Sequence, residues 1–280
     1  MNKDFLTDVV RRMNCGYRES ARGRAKTYPL HSEMNRKILE NLGGNFDGRG
    51  DGMVEESEHT IVTECGSWKP DGFFHSQVGN FDLIKPKGGT VDYKAPYSNI
   101  NQNILNMSRI LKGEASTIRP YGYEFSAFVI TPDKVPYFDE NGVVTKIEDV
   151  GKKLVNEMFQ YSKLRSSLDC APDLIGMCVY KMTDFNYKSI FTKDDYAKAV
   201  SEYDGPIEYV YYPGIESNDR FIYNDPDKYA SVYSNMIKSK FSGTSKRKTF
   251  TELFQETPYE EQEKYLVEHG KLTFIPAYAK

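Results

Sequence analysis

At 280 residues, with 39% hydrophobic and 28% charged residues, the chain can bury a substantial core and is too apolar to be disordered. Its net charge of −3 does not mark a nucleic-acid binder, nor exclude one, because binding follows local potential rather than the total. No apolar run approaches the roughly 18 residues of a membrane span, and no period of about 20–50 residues recurs, which excludes solenoids and propellers.

The N-terminal stretch MNKDFLTDVVRRMNCGYRES has no signal-peptide apolar region. Cys15, Cys65, Cys170 and Cys178 are far apart and form no CxxC, so reduced thiols in a cytoplasm are the expectation and structural zinc is not. Between Arg11 and Lys26 lie Arg11, Arg12, Arg18, Arg22, Arg24 and Lys26 against a single acid, Glu19. This segment, 1–27, is expected to be a basic arm. From Pro29, Leu30, Met34, Ile38 and Leu42 recur at helical spacing, and Gly43-Gly44 ends the helix. The glycine-rich, acidic stretch 45–58 reads as a loop. HTIVTECGSWKPDGFF reads as strand, bend, strand, and GTVDYKAP as a short strand ended by Pro96.

Next, NINQNILNMSRILKG carries a helical stripe that Gly113 closes. EFSAFVITP is a buried-type strand. In KIEDVGKKLVNEMFQYSKL, Ile147, Val150, Leu154, Met158 and Tyr161 predict a helix, and LIGMCVYKM is a further strand. The order helix, strands, helix, strand, helix, strand predicts an α/β fold with a mixed central sheet flanked by helices. Beyond residue 182 the pattern weakens. IEYVYYPG reads as a strand, DPDKYASVYSNMIKSKF and TPYEEQEKYLVEHG as helices, and 183–280 as an appended C-terminal lobe. A second basic cluster, Lys246-Arg247-Lys248, lies within it.

The segment WKPDGFFHSQVGNFDLIKPKGGTVDYKAP concentrates the chemistry. Asp71 follows a proline at a bend, and Asp92 and Lys94 close the next strand. Side chains two residues apart on a strand leave the same face, so Asp92 and Lys94 point together. Two carboxylates from neighbouring strands can share a Mg²⁺ through oxygen ligands. Such a metal polarises a scissile phosphate and lowers the pKa of a bound water, and the lysine beside it can orient that water. Pro132-Asp133 and Pro172-Asp173 act as internal controls, because neither leads into a strand ending in D-x-K.

The stretches KPDG and VDYKAPYSNI resemble the catalytic segment of the PD-(D/E)xK nucleases, and locally the cleavage domain of the type IIS restriction enzyme FokI. The resemblance covers residues 28–182 and implies a restriction-endonuclease-like nuclease core there. It implies Asp71 and Asp92 as ligands of Mg²⁺, with Mn²⁺ able to substitute, and Lys94 as the catalytic lysine. A further glutamate on the first core helix is expected to be Glu33, with Glu40 next. The implied reaction is endonucleolytic hydrolysis of double-stranded DNA by water, leaving 5′-phosphate and 3′-hydroxyl ends, by a homodimer assembled at least on DNA. Arg18, Arg22, Arg24, Lys69, Gln102, Lys246, Arg247 and Lys248 are the expected DNA contacts. The alternatives are a silent DNA-binding or interaction module of the same fold, and an RNA- or structure-selective nuclease.

Overall fold

The computed structural model describes residues 3–19, 27–43, 53–55, 60–63, 66–76, 88–119, 122–149, 151–163 and 171–241. Two helices open the chain, α1 (Lys3–Glu19) and α2 (Tyr28–Leu42). In α1, Phe5, Leu6, Val9, Val10, Met13 and Tyr17 recur at helical spacing and are all buried. The polar face of α1 is tied down as well. Arg11 donates to the Asp204 carbonyl at 3.0 Å and Arg12 pairs with Asp8 at 2.6 Å. Most of the expected basic arm is therefore a core helix whose charges mark its outer face. In α2 the predicted stripe of Leu30, Met34, Ile38 and Leu42 is buried, and Gly43 caps the helix at φ 76°.

A short strand, β1 (Met53–Glu55), falls within the expected loop, and a small hairpin follows, β2 (Ile61–Thr63) with β3 (Gly66–Trp68). Then come β4 (Gly72–Ser76), β5 (Gly88–Lys94), α3 (Ile100–Ile118) and β6 (Glu124–Pro132). A second hairpin, β7 (Lys134–Phe138) with β8 (Val144–Asp149), precedes α4 (Gly151–Lys163) and β9 (Leu174–Met182). The chain continues through α5 (Lys193–Ser201), β10 (Ile207–Tyr209), β11 (Phe221–Tyr223) and α6 (Pro226–Phe241).

Two helix boundaries differ from the sequence reading. Residues 146–149 are strand, because Ile147 pairs with Pro136 across a hairpin turned at Gly142, φ 75°. The helix there begins only at Gly151. Conversely, α3 does not stop at Gly113 but runs to Ile118. Glycine inside a helix costs about 1 kcal/mol relative to alanine, and Leu111, Ala115 and Ile118, all buried, offset it.

The main sheet runs β1-β4-β5-β6-β9-β10, with β11 also paired to β9. It is mixed. The β1–β4 and β4–β5 pairs are antiparallel, β5–β6 and β6–β9 parallel. A parallel neighbour requires a crossover, and α3 supplies the one from β5 to β6 and α4 the one from β6 to β9. Side chains alternate between faces. Val91, Tyr93, Phe128, Ile130, Cys178 and Tyr180 join a core with α1, α2, α5 and α6. Ala127, Val129, Ile175, Met177 and Val179 join a second core with α3 and α4. The architecture is thus α/β, a mixed sheet between two helical layers.

The expected C-terminal lobe is, through residue 241, part of this body. The β10 and β11 strands extend the sheet along β9, β10 antiparallel and β11 parallel. In α6, the Tyr233 hydroxyl donates to the Thr90 and Glu124 carbonyls at 2.7 and 3.0 Å. A Cβ added at Gly89 would lie 2.5 Å from Ile237 of α6, so glycine there lets the helix lie close to the sheet. The predicted helix from Thr257 to Gly270 lies outside the described residues.

Candidate active site

The bend that carries Asp71 is clamped between α2 and β5. Gly72 pairs with Val91 in the antiparallel register of β4 and β5, and one further step brings Asp71 beside Asp92. The Asp71 Oδ2 accepts a hydrogen bond from the Tyr93 backbone N–H at 2.8 Å. Asn35 of α2 donates through Nδ2 to the Asp71 carbonyl at 3.1 Å and accepts from the Tyr93 hydroxyl at 2.5 Å. A Cβ on residue 72 would stand 2.5 Å from Asn35 Oδ1, which is why the proline-aspartate pair is followed by glycine. One helical turn before Asn35, the His31 Nδ1 lies 3.7 Å from Asp71 Oδ1, and its ring stacks on Tyr93 at 4.9 Å. Together α2 and β5 fix both the backbone and the carboxylate of Asp71.

Asp92 and Lys94 leave the opposite face of β5 from Val91 and Tyr93, toward α3. Asp92 is only 5% exposed, and its Oδ2 is paired with the Lys94 ammonium. Burial drives the Asp92 carboxyl up to about 6, Lys94 opposes that rise, and Asp71 adds to it. Glu114 of α3 completes the group. Burial and then the charge of Asp92 push its carboxyl up to about 8, against Lys94 and a hydrogen bond from Trp68. For Lys94, burial favours the neutral form, but the charges of Asp92, Glu114 and Asp71 outweigh it and raise the pKa. Asp71, Asp92 and Glu114 thus gather around Lys94, and burial first, then charge repulsion, raises the Asp92 and Glu114 carboxyls.

That charge surplus suits a hard divalent cation. Among the described residues no group of three or more His, Cys, Asp or Glu side chains is arranged to hold a metal. Asp71 and Asp92 are the carboxylates that could hold a divalent cation, and Mg²⁺ ordinarily takes only one or two protein carboxylates beside water and phosphate. The buried Asp92 Oδ2 makes no hydrogen bond beyond its ion pair. One buried carboxylate, Asp92, beside the half-buried Asp71 offers oxygen donors that fit such a cation.

The remaining predicted residues divide clearly. Glu33 is not brought to the cluster. It lies on another face of α2, where its carboxylate pairs with Arg36 and comes within 3.9 Å of Arg12. Hydrogen bonding to Arg36 lowers its pKa, the reverse of the cluster's behaviour. Glu40 is likewise paired with Arg36. The helix-borne glutamate at the cluster is Glu114, which lies beyond the expected end of its helix. Its position three residues after Leu111 and four before Ile118, on the buried stripe, is the signal that could have found it.

Lys69 is exposed just before the bend. Gln102 lies in the first turn of α3 and Arg18 in the last turn of α1, their side chains outside the described residues. Arg22, Arg24, Lys246, Arg247 and Lys248 also lie outside them. The two control aspartates do structural work: Asp173 pairs with Arg119 at 3.0 Å and accepts from the Phe125 N–H at 2.9 Å. The Asp133 N–H donates to the Tyr180 carbonyl at 2.7 Å. Comparison with protein-family models, curated proteins and solved structures finds no match.

Proposed function

We propose that this chain is a Mg²⁺-dependent endodeoxyribonuclease of restriction-endonuclease-like fold, of the type II-like restriction or mobile-element kind. One observation carries the reading: Asp71, well before them in sequence, meets Asp92 and Lys94 at one end of the β4–β5 pair. The mixed sheet with helices on both faces is compatible with it.

Asp71 and Asp92 would hold Mg²⁺, or Mn²⁺ in its place, which supplies Lewis-acid polarisation of the phosphodiester and a water of lowered pKa. The chain's own groups divide the remaining work. The Tyr93 N–H and Asn35 keep Asp71 from turning away. Lys94, a compact ammonium, orients the attacking water and offsets charge gathering on the phosphate. Lys69 and the basic clusters at Arg18–Arg24 and Lys246–Lys248 contact backbone phosphates of double-stranded DNA. A double-strand cut requires two such centres, hence a homodimer on DNA.

Incubation with long duplex DNAs and Mg²⁺, followed by sequencing of the ends, tests the reading. Discrete ends bearing 5′-phosphate are expected, with none in EDTA and none from Asp71→Ala or Asp92→Ala. Undiminished cutting by either variant removes that residue from the site, and intact DNA throughout removes the activity.

A further inference from the structure

We propose that Asn99 is a positioning residue for Lys94, holding in place the end of β5 from which the ammonium projects. The inference rests on reading Lys94 as the lysine of a nuclease. The register of β4 with β5 ends at Val91, so at Lys94 the strand keeps its sheet neighbour on the β6 side, Val129. Beyond that pairing, the place of Lys94 depends on the linker that follows it. The Pro96 carbonyl accepts from the Thr131 hydroxyl at 3.2 Å, and the buried Tyr97 donates its hydroxyl to Asn14 Oδ1 of α1 at 3.1 Å. Asn99 closes the linker, five residues past Lys94 and directly before α3.

Asn99 stands in the left-handed region, φ 48° and ψ 39°, a conformation that strains any residue with a side chain. An asparagine before a helix ordinarily turns its side chain onto the helix's own N–H groups. Here it makes no such cap. Its Nδ2 instead donates to the Phe138 carbonyl at 3.0 Å, and its Oδ1 accepts from the Phe138 N–H at 2.8 Å. The Asn99 N–H donates to the Pro136 carbonyl at 3.2 Å. The side chain thus meets β7 as a neighbouring strand would, and it ties the linker to a hairpin outside the main sheet. Backbone strain and a forgone cap both go toward fixing where the linker ends. A displacement of about 1 Å at a reacting group can cost about 100-fold in rate. Ties on the adjoining backbone hold the root of a lysine side chain to that tolerance.

The chain contains a matched control. Asn224 is also left-handed, φ 53°, and its side chain likewise bonds the Val179 N–H at 2.9 Å and the Val210 carbonyl at 2.7 Å. It acts on β9, with β6 between it and β5. Asn99→Gly and Asn224→Gly each keep the backbone conformation and delete two side-chain hydrogen bonds; circular dichroism and urea unfolding verify each fold. In the full chain carrying carbon-13 at the lysine Cε, the Lys94 signal, assigned by its loss in Lys94→Met, reports side-chain order by relaxation. Lys94 should become more mobile in Asn99→Gly, toward the exposed Lys152, and keep its wild-type order in Asn224→Gly. Single-turnover cleavage should fall at least about tenfold in Asn99→Gly alone, with DNA affinity within about twofold of wild type. Asn99→Asp, which loses only the donor, should respond less in the same direction, and it decides the matter should Asn99→Gly not fold. An unmoved Lys94 signal, or an equal response in Asn224→Gly, overturns the proposal. The signal needs no DNA, which separates this from the nuclease reading. A loosened Lys94 in a chain that never cuts retires the nuclease and keeps the positioning, and cutting with an unmoved Lys94 does the reverse.

Discussion

Neutralising Asp92 should stabilise the metal-free protein at neutral pH, the opposite of what deleting a buried, ion-paired group ordinarily does. Burial, with Asp71 adding and Lys94 opposing, holds its carboxyl at about 6 against an ordinary 3.8. At about 1.4 kcal/mol per tenfold change in proton affinity, ionised Asp92 costs the fold about 3 kcal/mol at pH 7. Below about pH 4 the folded and unfolded chains both hold the proton, and the penalty vanishes. From 3.8 to about 6 the folded state binds more protons than the unfolded one, so stability falls as pH rises. Glu114, held at about 8, extends the decline upward.

Asp173, raised to about 7 mainly by burial and then by Glu124, adds a decline unrelated to the site. The informative quantity is therefore the difference between wild type and Asp92→Asn. In urea unfolding with EDTA, the variant should exceed wild type by about 1–3 kcal/mol at pH 8, discounting for the lost ion pair, and show no advantage at pH 4. Mn²⁺ at pH 8 should raise wild type and leave the variant nearly unmoved, since only a ligand that binds the folded state stabilises it. A wild type in EDTA at least as stable as Asp92→Asn at pH 8 would refute the idea that burial, with Asp71 adding, penalises the ionised Asp92.

Asn35→Ala removes the clamp on Asp71 and a hydrogen-bond acceptor of the Tyr93 hydroxyl, so it should cost about 1–3 kcal/mol in urea unfolding and reduce single-turnover cleavage. Full cleavage at saturating Mg²⁺ would show that the bend holds Asp71 without it. Lys94→Ala should still bind Mn²⁺ but lose cleavage by at least about 100-fold. Lys94→Arg should recover little of it, because a planar guanidinium cannot take the place of a compact ammonium; substantial activity there would count against a role beside the water. Replacing Arg18, Arg22 and Arg24 with alanine should reduce the slope of log K against log salt by about 0.9 per lost phosphate contact. Titrations at several salt concentrations in an Asp92→Ala background measure it, and an unchanged slope would mark these arginines as a solvated run.

How much of this was legible in the sequence depended on whether the deciding forces were local. The stripes of α2 and the apolar runs of β6 and β9 announce themselves because each element's burial pattern is written within it. The D-x-K of Asp92 and Lys94 is legible for the same reason, as strand geometry alone points both residues one way. Partnership between distant segments is not written locally. Nothing in KIEDV says that Lys146–Asp149 will pair with Lys134–Tyr137, so its helical spacing misleads. Nothing in the run from Arg11 to Lys26 reveals that Asp204 and Glu33, on distant segments, will meet its first two arginines.

Glu114 shows the limit most clearly. A glycine one residue earlier is a sound stop signal when only propensity is weighed, yet about 1 kcal/mol of propensity yields to the burial of Ala115 and Ile118. The helix continues one more turn and carries an acid to Asp92. Glu33, on the helix the resemblance favoured, is instead held by arginines on its own helix and on α1. Which glutamate joins the cluster was decided by packing on the far side of the sheet, where no reading of the motif segment alone could reach.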